Sequence, residues 1–315
     1  MMKERRMAMM TEQKRLEKNT GWRIWWKLLR PHTLTASFVP VILGTAMALS
    51  VSEIKVSIFI AMLVASLLIQ AATNMFNEYF DYKRGLDTAE SVGIGGTIVR
   101  DGVRPETVLY LAYAFCGIAT LIGVYICAMS SWWLALIGTI CMMAGYFYTG
   151  GPYPIAYTPF GELVSGLFMG LILVLISFFV ETGTITETSV LLSIPIAVLV
   201  GGIMMANNIR DLDTDKEKGR RTLAILLGRK KAILFLSGMF AVSYLWIIGL
   251  MIFHVASLWL LLVFISLPKA IQAASLFRGR TSSLHLMPAM KATAQLNTLF
   301  GFLLSLGLLL DYLFV

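Results

Sequence analysis

Charged residues are scarce in this chain of 315 residues. Asp, Glu, Lys and Arg make up 14% of the sequence, whereas about 25% is usual for soluble globular domains. Hydrophobic residues reach 57% and the mean hydropathy is +0.76, which excludes both an ordinary soluble enzyme and a disordered chain. Cysteine is also rare. Cys116, Cys127 and Cys141 all lie in apolar runs, which argues against a disulfide or zinc framework.

Long apolar runs account for most of the chain. A helix needs about 20 mostly apolar residues to cross a bilayer core, and nine segments approach that length. The sequence therefore predicts an all-α integral membrane protein with nine transmembrane helices, and we expect residues 1–315 to form a single membrane-embedded domain. Residues 1–32 form a basic segment whose end, residues 21–30, is expected to lie at the membrane interface. The nine segments are roughly 33–52, 56–76, 107–128, 132–149, 162–180, 188–207, 231–254, 256–274 and 294–315.

Basic residues are distributed unevenly between the loops. Of the 26 Lys and Arg residues, 25 fall in four segments and Lys55 alone lies elsewhere. Nine spans place these four segments on the same membrane face, which the positive-inside rule identifies as the cytoplasmic one. We therefore expect a multi-pass protein of the cell membrane whose N-terminus and polar loops are cytoplasmic and whose C-terminus lies outside. The four segments are 1–32, 82–105, 208–231 and 268–293.

Two acidic clusters lie at the ends of apolar spans, where charge is costly. The first closes the second span and contains Asn77 and Asp81. The second closes the sixth span and contains Asn207 and Asp211, with Asp215 four residues further on. Residues three or four apart share a helix face, and the even number of spans between the clusters puts both on one side of the membrane. The sequence therefore predicts two acidic faces that can converge on one cavity.

Carboxylates that meet in a partly dehydrated cavity repel one another or take up protons. A divalent cation removes both problems, and Mg²⁺ is typically held by one or two carboxylates together with substrate phosphates. We therefore predict a Mg²⁺-diphosphate site. Two alternatives stay open: helix ends that are merely solvated, and a secondary transporter of an anionic substrate, although transporters place such residues near the bilayer midplane. The flanking cations that would bind the diphosphate are Lys83, Arg84, Arg100, Arg210 and Lys218.

A third polar stretch, residues 146–162, links the fourth and fifth spans and contains no Lys or Arg. Its Gly and Pro residues exclude a continuous helix. Two interpretations are open: a pocket for an aromatic molecule, or a turn with tyrosines at the membrane interface. The residues that would line such a pocket are Tyr148, Tyr153, Tyr157 and Glu162.

The first cluster resembles a motif of the UbiA-type intramembrane aromatic prenyltransferases, Asn-Asp-x-x-Asp followed by a second acid. Residues 77–81 read Asn-Glu-Tyr-Phe-Asp, so that Glu78 replaces the usual Asp. The second acid is Asp87, at a position typical of the branch of the family that prenylates a dihydroxynaphthoate. The likeness extends over nearly the whole chain from about residue 27.

The second cluster is similar to the second motif of that branch, Asn-Asn-x-Arg-Asp-x-x-x-Asp followed by Gly-Lys-x-Thr-Leu. Residues 207–215 match the first part, and residues 219–223 read Gly-Arg-Arg-Thr-Leu. Arg220 therefore takes the Lys position, which keeps the charge but changes the geometry of phosphate binding.

The resemblance implies the UbiA prenyltransferase fold, in which nine transmembrane helices surround a central cavity that opens to the cytoplasm and sideways to lipid. It implies Mg²⁺ as cofactor, a polyprenyl diphosphate and an aromatic acid as substrates, and no nucleic acid. The implied reaction transfers a long polyprenyl chain to 1,4-dihydroxy-2-naphthoate with loss of carbon dioxide and diphosphate, giving demethylmenaquinol. The alternative is another aromatic acceptor, such as 4-hydroxybenzoate.

The resemblance also implies roles for individual residues. The expected catalytic residues are Asn77, Asp81, Asp211 and Asp215, and the expected metal ligands are Asp81, Asp87, Asp211 and Asp215. The residues expected to bind the diphosphate are Lys83, Arg84, Arg100, Asn208, Arg210, Lys218 and Arg220. Those expected to bind the acceptor are Tyr148, Tyr153, Tyr157 and Glu162.

Overall fold

The computed structural model describes residues 20–87 and 96–314. Most of the predicted basic segment, residues 1–19, therefore lies outside the described residues. Every regular element within the described ranges is a helix. In chain order the helices are α1 Trp22–Leu28, α2 Thr35–Ala48, α3 Val56–Lys83, α4 Pro105–Met129, α5 Trp133–Thr149, α6 Gly161–Thr182, α7 Glu187–Arg210, α8 Leu212–Glu217, α9 Leu223–Leu227, α10 Arg229–Ile252, α11 Leu258–Leu276 and α12 Ser283–Phe314, with short 3₁₀ turns at Pro31–Thr33 and Ile155–Tyr157.

Seven helices in the described ranges are long and apolar enough to cross a bilayer, namely α3, α4, α6, α7, α10, α11 and α12. The other two predicted spans are the apolar helices α2 and α5, which have 14 and 17 residues. Each of the nine predicted segments thus coincides with an apolar helix, and the all-α membrane architecture is confirmed. The helix α5 is short because it ends before Gly150, where the Gly-Gly-Pro sequence cannot continue a helix.

Helix ends follow local sequence signals. At the start of α7, the Thr186 side chain accepts the backbone N–H of Ser189, and the Ser189 hydroxyl accepts that of Thr186, which forms a capping box. Pro268 lies within the eighth predicted span but does not break the helix there. It lies where the 3₁₀ helix Leu258–Ser266 changes into the α-helix Leu267–Leu276, in the first turn of the latter. Proline is well tolerated there because its missing N–H has no partner to lose.

The helix α2 lies at the centre of the packing. Its residue Leu43 belongs to the largest hydrophobic cluster, which includes residues of α6, α7, α10, α11 and α12. Val41 belongs to a second cluster, with residues of α3, α4 and α6. Gly44 lets α2 approach α6 closely, because a Cβ at this position would lie 2.4 Å from the carbonyl oxygen of Val174. These contacts leave a cavity between α3–α5 on one side and α6 and α7 on the other.

Candidate functional site

The cavity has a volume of about 350 Å³. Its polar end is lined by Asn77, Asn207 and Arg220, and its other end by mostly apolar side chains near Trp132. The helix α3 lines it from Met62 to Asn77, roughly 22 Å of helix at 1.5 Å per residue. The hydrocarbon core of a bilayer is about 30 Å thick. The cavity therefore extends from the acidic motifs through much of the membrane.

The helices α5 and α6 form an apolar side wall of the cavity. Gly138 and Gly145 line it from α5, and a Cβ on Gly138 would meet no atom within 4 Å. Phe168 and Met169 line it from α6, in the segment Gly166–Ile172 where this helix widens into a π-helix. Single π-helical turns inside α-helices are frequent at functional sites. The wall leaves room for an extended apolar chain between the two helices.

The two acidic motifs meet at Arg220. Its Nη2 lies 2.7 Å from Oδ1 of Asp81, in the first motif, and its Nη1 lies 3.3 Å from Oδ1 of Asp215, in the second. All three side chains are almost buried. The guanidinium carbon lies 4.6 Å from the ring centre of Tyr157, a cation–π contact that helps to fix the arginine. The convergence of the two motifs that the span count indicates is therefore present in the structure.

The second motif is divided between two helices. The helix α7 ends at Arg210, and Asp211, with φ −95° and ψ 6°, separates it from α8. The carboxylate of Asp211 lies against Arg210, whose Nε is 2.7 Å from Oδ1. Asp215 continues from this break, with its N–H donating to the Asp211 carbonyl over 2.9 Å. Asp213 lies outside the acidic cluster, with its side chain 63% exposed and 2.8 Å from Arg229.

Burial makes the carboxylates at this end of the cavity reluctant to ionise. The pKa of Asp215 is raised to about 6, chiefly by burial; Arg220 lowers it, and Asp211 and Asp81 raise it. The pKa of Asp87 is likewise raised to about 6, first by burial and then by the Asp81 carboxylate. The pKa values of both residues are thus raised in part by neighbouring carboxylates. A divalent cation bound between the carboxylates would remove this repulsion.

Within the described residues, no three Asp, Glu, His or Cys side chains lie close enough to enclose a metal ion on their own. The guanidinium of Arg220 lies between Asp81 and Asp215 instead. The donor set nevertheless fits Mg²⁺, which binds oxygen ligands, needs only one or two carboxylates and takes the others from water and phosphates. A phosphate-bearing substrate would complete such a site and offer Arg220 a new partner.

Several predicted diphosphate ligands have other partners. Arg84 donates to the carbonyls of Thr149 and Gly151 and so attaches α3 to the loop after α5. Lys83 is exposed, with its ammonium group 5.9 Å from the ring centre of Tyr79. Both side chains therefore serve the surroundings of the site in this structure rather than the cavity itself.

The remaining predicted diphosphate ligands differ in whether they line the cavity. Arg100 is 3.5 Å from Asp101, Lys218 donates to a backbone carbonyl in the loop after α3, and neither residue lines the cavity. Asn208 and Arg220 do line it. The structure thus brings these two predicted diphosphate ligands to the polar end of the cavity.

Only some of the residues predicted to bind the acceptor lie at the cavity. Tyr148 lines the cavity, and its buried hydroxyl has no hydrogen-bond partner among the described residues. This hydroxyl lies over Gly161, where a Cβ would approach it to 3.0 Å. Glu162 is 5% exposed and accepts a hydrogen bond of 2.9 Å from Nδ2 of Asn208. Tyr153 is 90% exposed and does not line the cavity, so the structure does not bring it to the site.

Sequence reasoning missed Arg30, which lines the polar end of the cavity. Its φ of 50° is one of two positive values among the described non-glycine residues. Asn74 fixes the turn around it by donating to the carbonyl of Leu29 and to the hydroxyl of Thr33, both over 2.9 Å. The available signal was a charged residue directly before Pro31, at the entrance to the first span and on the face of the acidic clusters.

Glu78, which stands where the family motif has Asp, serves the fold. Its side chain is fully buried and accepts hydrogen bonds from the Thr97 hydroxyl and from the N–H of Ile98, the latter over 3.2 Å. These contacts attach the loop before α4 to α3. The carboxylate of the first motif that reaches the second is therefore that of Asp81.

An all-helical membrane bundle whose apolar cavity ends at two converging acidic motifs is suited to a molecule with a long apolar chain and an anionic end. The chain belongs to the UbiA prenyltransferase family, whose sequence model matches residues 37–299. The matched region contains both acidic motifs and Arg220. The family expected from the motifs is therefore confirmed.

Individual relatives cover most of the chain. The 1,4-dihydroxy-2-naphthoate octaprenyltransferase of Bacillus subtilis strain 168 is 59% identical over 296 residues, 94% of this chain and 95% of that protein. The UbiA prenyltransferase domain-containing protein 1 homolog of Drosophila melanogaster is 34% identical, over 87% of this chain and 76% of that protein.

Solved structures share the fold. A UbiA homolog from Archaeoglobus fulgidus bound to GPP and Mg²⁺ has a TM-score of 0.64 at 15% identity, covering 90% of this chain and 99% of that one. The apo structure of a UbiA homolog from Aeropyrum pernix K1 has a TM-score of 0.65 at 17% identity, covering 89% and 98%. The UbiA fold expected from the sequence is thereby confirmed.

Proposed function

We propose that the protein transfers a long polyprenyl chain from polyprenyl diphosphate to 1,4-dihydroxy-2-naphthoate, with loss of carbon dioxide and diphosphate, to give demethylmenaquinol. The observation that carries this proposal is the meeting of both acidic motifs through Arg220 at the polar end of a long apolar cavity. A prenyl diphosphate has the matching form, an anionic head and an apolar tail. The acceptor is supported by the Bacillus subtilis relative, whose name states it.

The polar end of the cavity would bind the diphosphate head. Bound Mg²⁺ would supply positive charge to the departing diphosphate. Arg220 adds a cation beside it, positioned by the Tyr157 ring, and Asn77 and Asn208 line the same end. Groups fixed in advance around a developing charge usually make the largest contribution to catalysis of this kind. The proposed metal ligands are Asp81, Asp87, Asp211 and Asp215.

The apolar part of the cavity serves both the tail and the reacting carbon. Cleavage of the carbon–oxygen bond leaves a positively charged allylic carbon, which water would capture. Phe168 and Met169 help to exclude water from this region. A ring carbon of the acceptor then forms the new carbon–carbon bond. The carboxylate on that carbon leaves as carbon dioxide, and its electron pair returns to the ring.

We place the acceptor ring beside Tyr148. Buried hydroxyl groups normally have a partner, and that of Tyr148 has none among the described residues, so a hydroxyl of the acceptor can supply one. Tyr148 lines the same cavity as Arg220. A ring carbon held there can come within the roughly 3–3.5 Å of the allylic carbon that reaction requires. Glu162 supports this region by holding Asn208.

Incubation of the purified protein with Mg²⁺, a polyprenyl diphosphate and a panel of aromatic acids tests the proposal. We expect mass spectrometry to find a prenylated naphthoquinol without its carboxylate, an equal amount of diphosphate, and no product after exhaustive chelation. Tyr148→Phe should raise the KM for the naphthoate, whereas Tyr153→Phe, at an exposed ring, is the matched control. Prenylated 4-hydroxybenzoate as main product would identify the other acceptor, and no diphosphate release with any acid would refute the activity.

We also propose that the chain is one domain of the cell membrane, with its polar loops in the cytoplasm and its C-terminus outside. The support is the confinement of 25 of 26 Lys and Arg residues to four segments. Single cysteines at the exposed positions Lys83 and Lys216 should react with an impermeant reagent from the cytoplasmic side, and one at Tyr312 from the other. Reaction of the first two from opposite sides would contradict a shared site.

A further inference from the structure

A strained turn places Arg30 at the polar end of the cavity. Its backbone angles, φ 50° and ψ 65°, are left-handed, a conformation that only a few per cent of non-glycine residues adopt. The N–H and the hydroxyl of Thr33 both donate to the Arg30 carbonyl, over 2.8 and 2.9 Å. Strain of this kind persists only where the surrounding structure enforces it, and it is concentrated at functional sites.

The helix α3 enforces the turn through Asn74. This side chain is 6% exposed, and its Nδ2 donates to Leu29 and Thr33 as described above. Asn74 and Asp81 belong to the same helix, seven residues apart. The turn that carries Arg30 is therefore attached directly to the helix that carries the first acidic motif.

Arg30 lies at the polar end of the cavity, beside groups that belong to both acidic motifs. Arg30 lines this end together with Asn77, from the first motif, and with Arg220, which contacts Asp81 and Asp215. No salt bridge joins Arg30 to a carboxylate within the described residues, and its Nε is buried without a hydrogen-bond partner. Arg30 as a whole is half-buried, but a buried N–H group such as its Nε normally has a hydrogen-bond partner. The side chain is thus available to a ligand.

We propose that Arg30 binds the diphosphate of the prenyl donor as a second arginine beside Arg220. Both arginines line the cavity, but Arg220 is engaged by Asp81 and Asp215. The planar guanidinium group of arginine can donate two parallel hydrogen bonds to phosphate oxygens, a geometry that the ammonium group of lysine cannot reproduce. This assignment rests on the proposed function, since it concerns the same substrate.

The alternative anion is the carboxylate of the acceptor. The diphosphate is favoured because Arg30 lines the polar end of the cavity together with Asn77 and Arg220. Arg220 contacts Asp81 and Asp215, which we propose as metal ligands. A diphosphate that shares a divalent cation with these carboxylates bridges them to the arginine. An acceptor carboxylate in that place would face two groups of its own charge sign without a metal bond to compensate.

Calorimetric binding of inorganic diphosphate in the presence of Mg²⁺, without donor tail or acceptor, tests the assignment on the purified full-length protein. Arg30→Gln should weaken binding about 10- to 100-fold, the usual range for loss of a charged hydrogen bond. Arg30→Lys should weaken binding less than Arg30→Gln, because lysine keeps the positive charge. It should still weaken binding somewhat, because lysine cannot donate the paired hydrogen bonds of the guanidinium group. Arg104→Gln, the same change at an exposed position before α4, should leave binding unchanged.

Steady-state kinetics give a second measurement. Arg30→Lys and Asn74→Ala should raise the KM for the prenyl diphosphate and leave that for the aromatic acid unchanged, with Asn74 acting as a positioning residue. The assignment is overturned by unchanged diphosphate binding in both Arg30 variants, or by a rise in the acceptor KM alone. Failure of the unmodified protein to bind diphosphate would instead contradict the proposed function, and the assignment with it.

Discussion

Asp81→Asn is expected to reduce kcat/KM about 100- to 1,000-fold while leaving the protein folded and inserted. The exchange preserves side-chain size but removes the charge that lies 2.7 Å from Arg220 and that we propose as a ligand of Mg²⁺. Loss of one fixed electrostatic contact to a developing charge typically has an effect of this size. Assays at several Mg²⁺ concentrations measure it, and the variant should need more Mg²⁺ than the native protein.

Asp213→Asn is the matched control for this prediction. It makes the same chemical change on the exposed side chain that pairs with Arg229, outside the acidic cluster. Exposed ion pairs are worth about 0–1 kcal/mol, so we expect activity to change by less than about fivefold. Equal losses in the two variants would show that the acidic cluster is not the site of the reaction.

Arg220→Gln is expected to lower thermal stability as well as activity. It leaves Asp81 and Asp215, both largely buried, without the charge that lies between them. Removal of one partner from a buried ion pair typically costs about 3–5 kcal/mol. Added MgCl₂ should therefore stabilise the variant more than the native protein, because the metal replaces the missing charge. Thermal unfolding of the purified protein, with and without MgCl₂, measures both effects.

Two further variants separate charge from geometry. Arg221→Gln makes the same change on the exposed neighbouring side chain and should leave stability and its Mg²⁺ dependence unaltered. Arg220→Lys should keep most of the stability, because the positive charge between the two carboxylates remains. It should lose part of the activity, because an ammonium group cannot donate the paired hydrogen bonds with which a guanidinium group binds a diphosphate. A Gln variant as stable as the native protein at every MgCl₂ concentration would contradict the bridging role.

The membrane architecture was predictable because apolar runs of this length have few solutions in lipid other than a helix. This constraint holds even for the span that contains Pro268, whose position in a first turn keeps the helix intact. The meeting of the two motifs was predictable as well. Span parity decides the membrane face, and the four-residue spacing of Asn77 and Asp81 decides the helix face.

The partners of the cations could not be predicted, because they depend on contacts between distant parts of the chain. Arg84 belongs to a motif that suggests phosphate binding, yet its guanidinium donates to the carbonyls of Thr149 and Gly151. The last carbonyls of a helix lack partners, and α5 ends at this point. Likewise, nothing local in the sequence separates the exposed Tyr153 from the cavity-lining Tyr148.

Arg30 is the converse case, a residue that lines the cavity but that the sequence did not predict to belong to the site. Its place in the site depends on a left-handed turn held by Asn74, a residue more than 40 positions away from the groups it binds. Propensity favours no such conformation for arginine, so a sequence pattern cannot indicate it. Residues held by long-range contacts in unfavourable local conformations are the part of a site that sequence reasoning finds last.

The cavity extends along α3 from Asn77 to Met62 with a largely apolar lining, which fits the long apolar chain of the proposed donor and product. Molecules with such a chain dissolve in the lipid rather than in water, so the membrane both supplies the donor and receives the product. Both molecules are then solutes in a two-dimensional solvent. The quantity that governs saturation is the mole fraction of donor among the lipids, rather than its amount per litre. A membrane expanded with inert lipid thus dilutes the substrate of this protein even though the volume of water around it is unchanged.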